Sequence, residues 1–140
     1  MFIIILLANN NEFVMKRILS IIAMFLFGIS FLQARTYIVC VGIADYPDRQ
    51  NDLRVSANDA KTISGIFTKN GNAMVDCFVN SDVTIKKVCT AMRNTFAKAS
   101  PSDAIILYFS GHGVPGGLVC YDGVLYYSSV LSFMRQSKAQ

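Results

Sequence analysis

His112 is the only histidine in the chain, and it lies in the stretch IILYFSGHGVPGG, residues 105–117, between Gly111 and Gly113. An imidazole titrates near neutral pH, so it can take a proton from one group and hand it to another during a reaction. The two glycines leave the backbone free to turn sharply and put little bulk beside the ring to shield it from a substrate. On these residues alone, the histidine could equally do no more than satisfy a turn carbonyl. The chain also carries four cysteines, Cys40, Cys77, Cys89 and Cys120. They form no CxxC pair, and with one histidine they do not make the ligand set of a structural zinc site. No metal and no cofactor is expected.

The elements that must position these residues follow from hydrophobic pattern. TYIVCVGIADY is apolar almost throughout and rich in β-branched and aromatic residues, as in a strand of a parallel sheet buried on both faces, and is expected to end near Asp45. PDRQNDLRV follows as a polar loop. SANDAKTISGIFTKNG sets Ala57, Ala60, Ile63 and Phe67 at helical spacing, with Ser56 or Asn58 to cap the start and Asn-Gly to close the end, which predicts a helix of about three turns. AMVDCFVN reads as a second strand. In SDVTIKKVCTAMRNTFAKA, the residues Val83, Val88, Met92 and Phe96 form the apolar stripe of a second helix, which Pro101 breaks. DAIILYFSG supplies a third strand, GLVCYDGVLYY a hairpin punctuated by Asp122-Gly123, and Ser128 a cap for a last helix, SVLSFMRQ.

Strand, helix, strand, helix, strand is the order of an α/β sheet with helices on both faces, where function gathers at the carboxyl ends of the strands. Asp45 and His112 fall just past two such ends, and Asp59 falls in the first turn of the helix after the first strand, so the three could share one rim. Cys40 and Cys77 lie inside apolar runs and Cys89 on a helix, which reads as small buried hydrophobes, with a disulfide framework as the alternative.

Composition bounds the class. A chain of 140 residues, 53% hydrophobic, suits one compact domain. The net charge of +4 is spread without a Lys/Arg run or basic-aromatic interleaving, so nucleic acid is not expected as a partner. From Met15 the sequence reads MKRILSIIAMFLFGISFLQA: a basic pair Lys16-Arg17, an apolar core Ile18–Leu32, then the small Ala34. That is the pattern of a secretory signal peptide, and it makes Met15 the expected true start and Arg35 the expected first residue of the mature chain. The domain is therefore expected over 35–140, after an N-terminal region of 1–34, in an exported protein, periplasmic or secreted. The apolar core of 15 residues is shorter than the roughly 20 of a membrane span, and an N-terminal membrane anchor is the alternative.

Three segments resemble the caspase and metacaspase family of cysteine peptidases. YIVCVGIADYP is similar to the family's first strand and its Gly-Ile-x-x-Tyr turn, LRVSANDA to the metacaspase Leu-x-x-x-x-Asn-Asp-Ala segment, and DAIILYFSGHG to the histidine strand. Order and spacing agree from about Thr36 to Arg135. Val55 departs from a position where related sequences often carry glycine. The resemblance implies a caspase-like three-layer sandwich, a mostly parallel sheet with flanking helices. It makes His112 the general acid/base to a cysteine thiolate and gives the Gly113 N–H to the oxyanion. Asp59 and Ser110, with Ser56, would line the primary specificity pocket, where a carboxylate selects Arg or Lys in a peptide or protein substrate. Read without the family, Asp59 is equally a helix first-turn acid that meets the macrodipole favourably.

Family cysteines follow the histidine by about 50 residues, and none of the four here sits there. AIILYF also wants neighbours on both sides, yet only a hairpin and a helix come after it, which leaves a bare sheet edge. The chain is thus expected to be the N-terminal part of an exported endopeptidase, incomplete at the C-terminus and inactive alone, its edge open to a missing C-terminal segment or a second chain. The alternative is a non-catalytic caspase-like binding module. A serine hydrolase is disfavoured because no Gly-x-Ser-x-Gly elbow is present, and VPGGLVCYDGVLYY offers only Asp122 toward a calcium site.

Overall fold

The computed structural model describes residues 33–139 together with Met15 and Ser20. The leader expected over residues 15–34, and the region 1–34 as a whole, lie outside the described residues apart from Met15, Ser20, Gln33 and Ala34. Among the described residues no helix is long and apolar enough to cross a membrane.

Strand β1 (Thr36–Gly42) has β2 (Ala73–Val79) on one side and β3 (Ala104–Ser110) on the other, all parallel, in the order β2-β1-β3. Being central, β1 is covered on both edges and both faces, and Ile38, Val39, Cys40 and Val41 are all 0% exposed. That is why its sequence does not alternate. Helix α1 (Ser56–Lys69) packs Ala60 onto Ile38 and Cys40 on one face. Helix α2 (Ile85–Phe96) packs Val88, Met92 and Phe96 with Val39 and Val41 on the other. Each of those α2 side chains is worth about 1.5–3 kcal/mol on burial, so the stripe does more to hold the helix than the Thr84 side chain that caps Lys87 N–H. This is the α/β caspase-like sandwich expected from the sequence.

A second, antiparallel sheet follows: β4 (Gly113–Val114), β5 (Gly117–Cys120) and β6 (Gly123–Tyr126), in that order. The hairpin of β5 and β6 matches expectation, whereas β4 was not anticipated. Pro115-Gly116 joins β4 to β5, with Gly116 at φ 85°, the conformation that a type II turn demands of its third residue. Helix α3 (Tyr127–Gln136) closes the unit against α2, with Arg93 over the Phe133 ring.

Several local expectations are corrected. β1 stops at Gly42, not Asp45, because the N–H groups of Ala44 and Asp45 turn to the Asn80 side chain instead of a neighbouring strand. Helix α1 has 14 residues and begins after Val55, so neither Ser56 nor Asn58 caps it. The cap of α3 is Tyr126, with Ser128 already inside the helix. Helix α2 ends at Phe96, before Pro101 can break it. All four cysteines are unpaired, and Cys77 is exposed, not buried.

Candidate active site

The carboxyl ends of β1 and β3 lie side by side, Gly42 opposite Ser110. Gly42 is glycine because α1 comes too close for anything larger: a Cβ there would stand 2.3 Å from the Ser56 carbonyl oxygen and 2.7 Å from the Ala60 Cβ. That contact presses the first turn of α1, and Asp59 with it, onto the rim.

Past Gly42 the chain folds back on itself. Asn80, in the left-handed region at φ 52°, accepts the N–H groups of Ala44 and Asp45 at 2.9 and 3.3 Å through Oδ1. The Asp52 carboxylate accepts the Tyr46 N–H at 2.8 Å, and the Ala44 carbonyl accepts the Leu53 N–H at 2.7 Å. Asp48 caps the single turn Arg49–Asn51. The loop so pinned presents Tyr46 and Asn51 to the end of β3.

His112 meets both. Its Nε2 lies 2.8 Å from the Asn51 carbonyl oxygen, and its backbone N–H donates to the Tyr46 hydroxyl at 2.8 Å, with the two rings 5.0 Å apart. A carbonyl oxygen can only accept, so Nε2 carries the hydrogen and the neutral ring is left with Nδ1 as its base. The imidazole is half-buried. Burial pushes the Tyr46 phenol above its ordinary range, against a smaller opposing effect of the His112 N–H, so it remains a neutral hydroxyl.

The N–H of Val119 donates to the His112 carbonyl at 2.9 Å, which makes 112 and 119 a bonded position between β4 and β5. Bonded and non-bonded positions alternate along an antiparallel pair, so Gly113 turns its N–H away from β5, to the outer side of an end strand. A Cβ on Gly113 would meet only the Gly117 carbonyl, at 3.8 Å. Among the described residues nothing packed against it requires a glycine there.

Ser110, the last residue of β3, donates its hydroxyl to Asp59 at 3.1 Å. Asp59 is half-buried, and no described Lys or Arg pairs with it. Ser56 is 5% exposed at the start of α1 and takes no part in that hydrogen bond. At the carboxyl ends of the strands Ser110 meets Asp59 and His112 meets Tyr46 and Asn51, while Asp45, past the end of β1, pairs with Asn80. The roles of the Tyr46 hydroxyl and the Asn51 carbonyl were not expected. Tyr46 lies in a segment with family likeness, while a backbone carbonyl leaves no mark in a sequence.

No cysteine joins this group. Cys40 and Cys120 are 0% and 2% exposed, and burial raises each thiol to about 11. Burial also raises the half-buried Cys89, and Cys77 stands on β2, across β1 from the histidine strand.

Residues 35–139 match the family model for the caspase domain. The chain belongs to the caspase-domain family, a family of cysteine peptidases. A crystal structure of a protein from Geobacter sulfurreducens shares the fold, with a TM-score of 0.64 at 16% sequence identity. The likeness covers 76% of this chain and 47% of that one, so the caspase-domain chain spans about half the length of that protein. No curated protein matches the sequence.

Proposed function

We propose that this chain carries the acid/base and substrate-binding half of a caspase-like cysteine endopeptidase that cleaves after Arg or Lys, the nucleophilic thiol coming from a segment other than these 140 residues. One observation carries the reading: just past the end of β3 stands His112, fixed on the Asn51 carbonyl, two residues from Ser110, which is bonded to Asp59, a carboxylate with no described Lys or Arg partner.

In this reading the thiol gives its proton to Nδ1 of His112, and the resulting imidazolium keeps its Nε2–H on Asn51. The thiolate attacks the scissile carbonyl carbon, and the new oxyanion takes the outward N–H of Gly113. The imidazolium then protonates the departing amine, and water, deprotonated by the same ring, hydrolyses the thioester. A substrate guanidinium or ammonium pairs with Asp59, which Ser110 holds in place. The strand bearing the thiol adds to the open edge of β3. The leader-like residues 15–34 support export.

The test uses fluorogenic peptides with Arg or Lys before the scissile bond. The chain alone leaves them intact, whereas the polypeptide encoded in the same frame through and beyond Gln140 cleaves them. His112→Ala in that polypeptide lowers the rate by about 10²–10⁴, and Asp59→Ala removes the preference for basic residues. Cleavage by the chain alone, or a rate indifferent to His112→Ala, refutes the reading. Peptide binding without cleavage by the longer polypeptide selects the non-catalytic module.

A further inference from the structure

Strand β2 is the other end of the parallel sheet: β1 takes one of its sides, and among the described residues no strand takes the other. An end strand leaves a row of backbone N–H and C=O groups for a further strand to use. Between β2 and α2 runs a groove of about 760 Å³. Its floor is Asp76 and Phe78, which alternate along β2 with the Val75 and Val79 that face α1. Helix α2 overhangs it, with Lys87, Ala91 and Asn94 at helical spacing and Lys98 just beyond the last turn.

The charge of this groove is not uniform. Lys98 stands at one end, its ammonium 3.5 Å from the Met74 sulfur, and Lys86, in the first turn of α2, lines the groove together with Phe78. Lys87, beside Lys86, is engaged by Asp82 at 2.6 Å, which leaves Lys86 and Lys98 as the groove cations without a described carboxylate partner. Between the two ends Asp76 occupies the floor, bonded to the Thr95 hydroxyl. The pattern is positive, negative, positive. Met74 and Phe78 are four residues apart, about 13 Å along a strand, and residues four apart on a strand point to the same face.

The geometry points to a docking site for an extended acidic segment of a partner protein, which adds beside β2 with two carboxylates four residues apart on the lysines and a neutral residue midway over Asp76. The alternate residues of that segment lie on the α1 side, next to Val75 and Val79, and are apolar. Backbone pairing holds it, and charge selects it. A second copy of this chain fits poorly, because its own β2 edge would bring lysines against lysines. The site is independent of the peptidase reading, since it lies across β1 from His112.

The probe is a fluorescein-labelled peptide of sequence TDVTVDT, titrated with the full chain by anisotropy. It binds, and TNVTVNT binds about tenfold more weakly, as loss of about 1.4 kcal/mol of charge pairing requires. TKVTVKT does not bind. Lys86→Glu with Lys98→Glu, at two exposed positions, should keep the wild-type circular dichroism and reverse the order so that TKVTVKT binds best. Bound peptide slows amide exchange within Ala73–Val79, which a purely ionic contact with the helix would not do. Equal binding of the three peptides, no binding, or indifference to the two charge reversals overturns the proposal. So does β2 protection that grows with chain concentration in the absence of peptide, which would make the occupant a second copy.

Discussion

The Tyr46 hydroxyl accepts the backbone N–H of His112 at 2.8 Å and reaches toward the Val119 carbonyl at 3.5 Å, the place where that N–H would otherwise pair across to β5. A side chain from the loop after β1 thus closes a gap in the second sheet and ties the histidine to the first. Tyr46→Phe keeps the ring, 7% exposed, but orphans the His112 N–H, at a cost of about 1–3 kcal/mol. The urea midpoint should fall accordingly, and exchange of the His112 amide should speed up while the centre of β1 stays protected. If the His112 amide exchanges at the wild-type rate, Tyr46 does not hold it.

The two glycines around His112 should respond oppositely. A Cβ on Gly111 would lie 2.8 Å from the Tyr46 hydroxyl and 3.0 Å from the Phe109 ring, so Gly111→Ala pushes Tyr46 off the histidine and destabilises by about 1–3 kcal/mol. Gly113→Ala makes only an ordinary contact with the Gly117 carbonyl, at 3.8 Å, so the variant folds as well as wild type or gains a few tenths of a kcal/mol from its stiffer unfolded chain. In the cleaving polypeptide the same Gly113→Ala lowers kcat/KM, because the methyl occupies the space where the substrate carbonyl approaches. Thermal melts of both variants separate the effects, and a Gly113→Ala protein that melts early contradicts the assignment.

Much of this arrangement is legible in the sequence alone, because its causes are local. The unbroken apolar run of β1, the stripe Val88, Met92, Phe96 and the Gly-His-Gly end of β3 each follow from periodicity or backbone freedom. What escaped depends on long-range partners. Val55 precedes α1 without any side-chain cap, since the helix start is set by the approach of Gly42 to Ser56 and Ala60. Cys77 looked buried in an apolar run, but β2 is an end strand and exposes it. Tyr46 and Asn51 reach His112 on a loop held at Ala44 and Asp45 by Asn80, 35 residues from Asp45, and at Tyr46 by Asp52.

Asp103 gives a pH test. It accepts the N–H of Arg35 at 2.8 Å and the N–H and hydroxyl of Ser100, each at 2.7 Å, and the Arg35 bond foremost holds its carboxyl below the usual range. A carboxyl lowered in the folded state stabilises above its unfolded pKa, about 4, and that contribution is lost as pH falls through the folded value. Asp103→Asn therefore melts below wild type at neutral pH by a constant interval. The interval shrinks only below about pH 4. Melting curves from pH 2.5 to 7 check this, and an interval that widens with acid is the wrong sign.

The thiols test where the nucleophile is not. Alkylation and disulfide exchange need the thiolate and a path to it. Cys40 and Cys120, at about 11, are about 0.1% ionised at pH 8 and enclosed besides, and Cys89 is half-buried with its thiol also raised. Cys77 alone is exposed, so Ellman's reagent should release one equivalent quickly from the native chain, and the remaining three only in guanidinium. Cys77→Ser should abolish the fast release and leave the three equivalents released in guanidinium. Mapping the fast thiol to Cys120 instead would put a reactive sulfur one residue beyond Val119, the partner of the His112 carbonyl. A nucleophile from outside the chain would then be unnecessary.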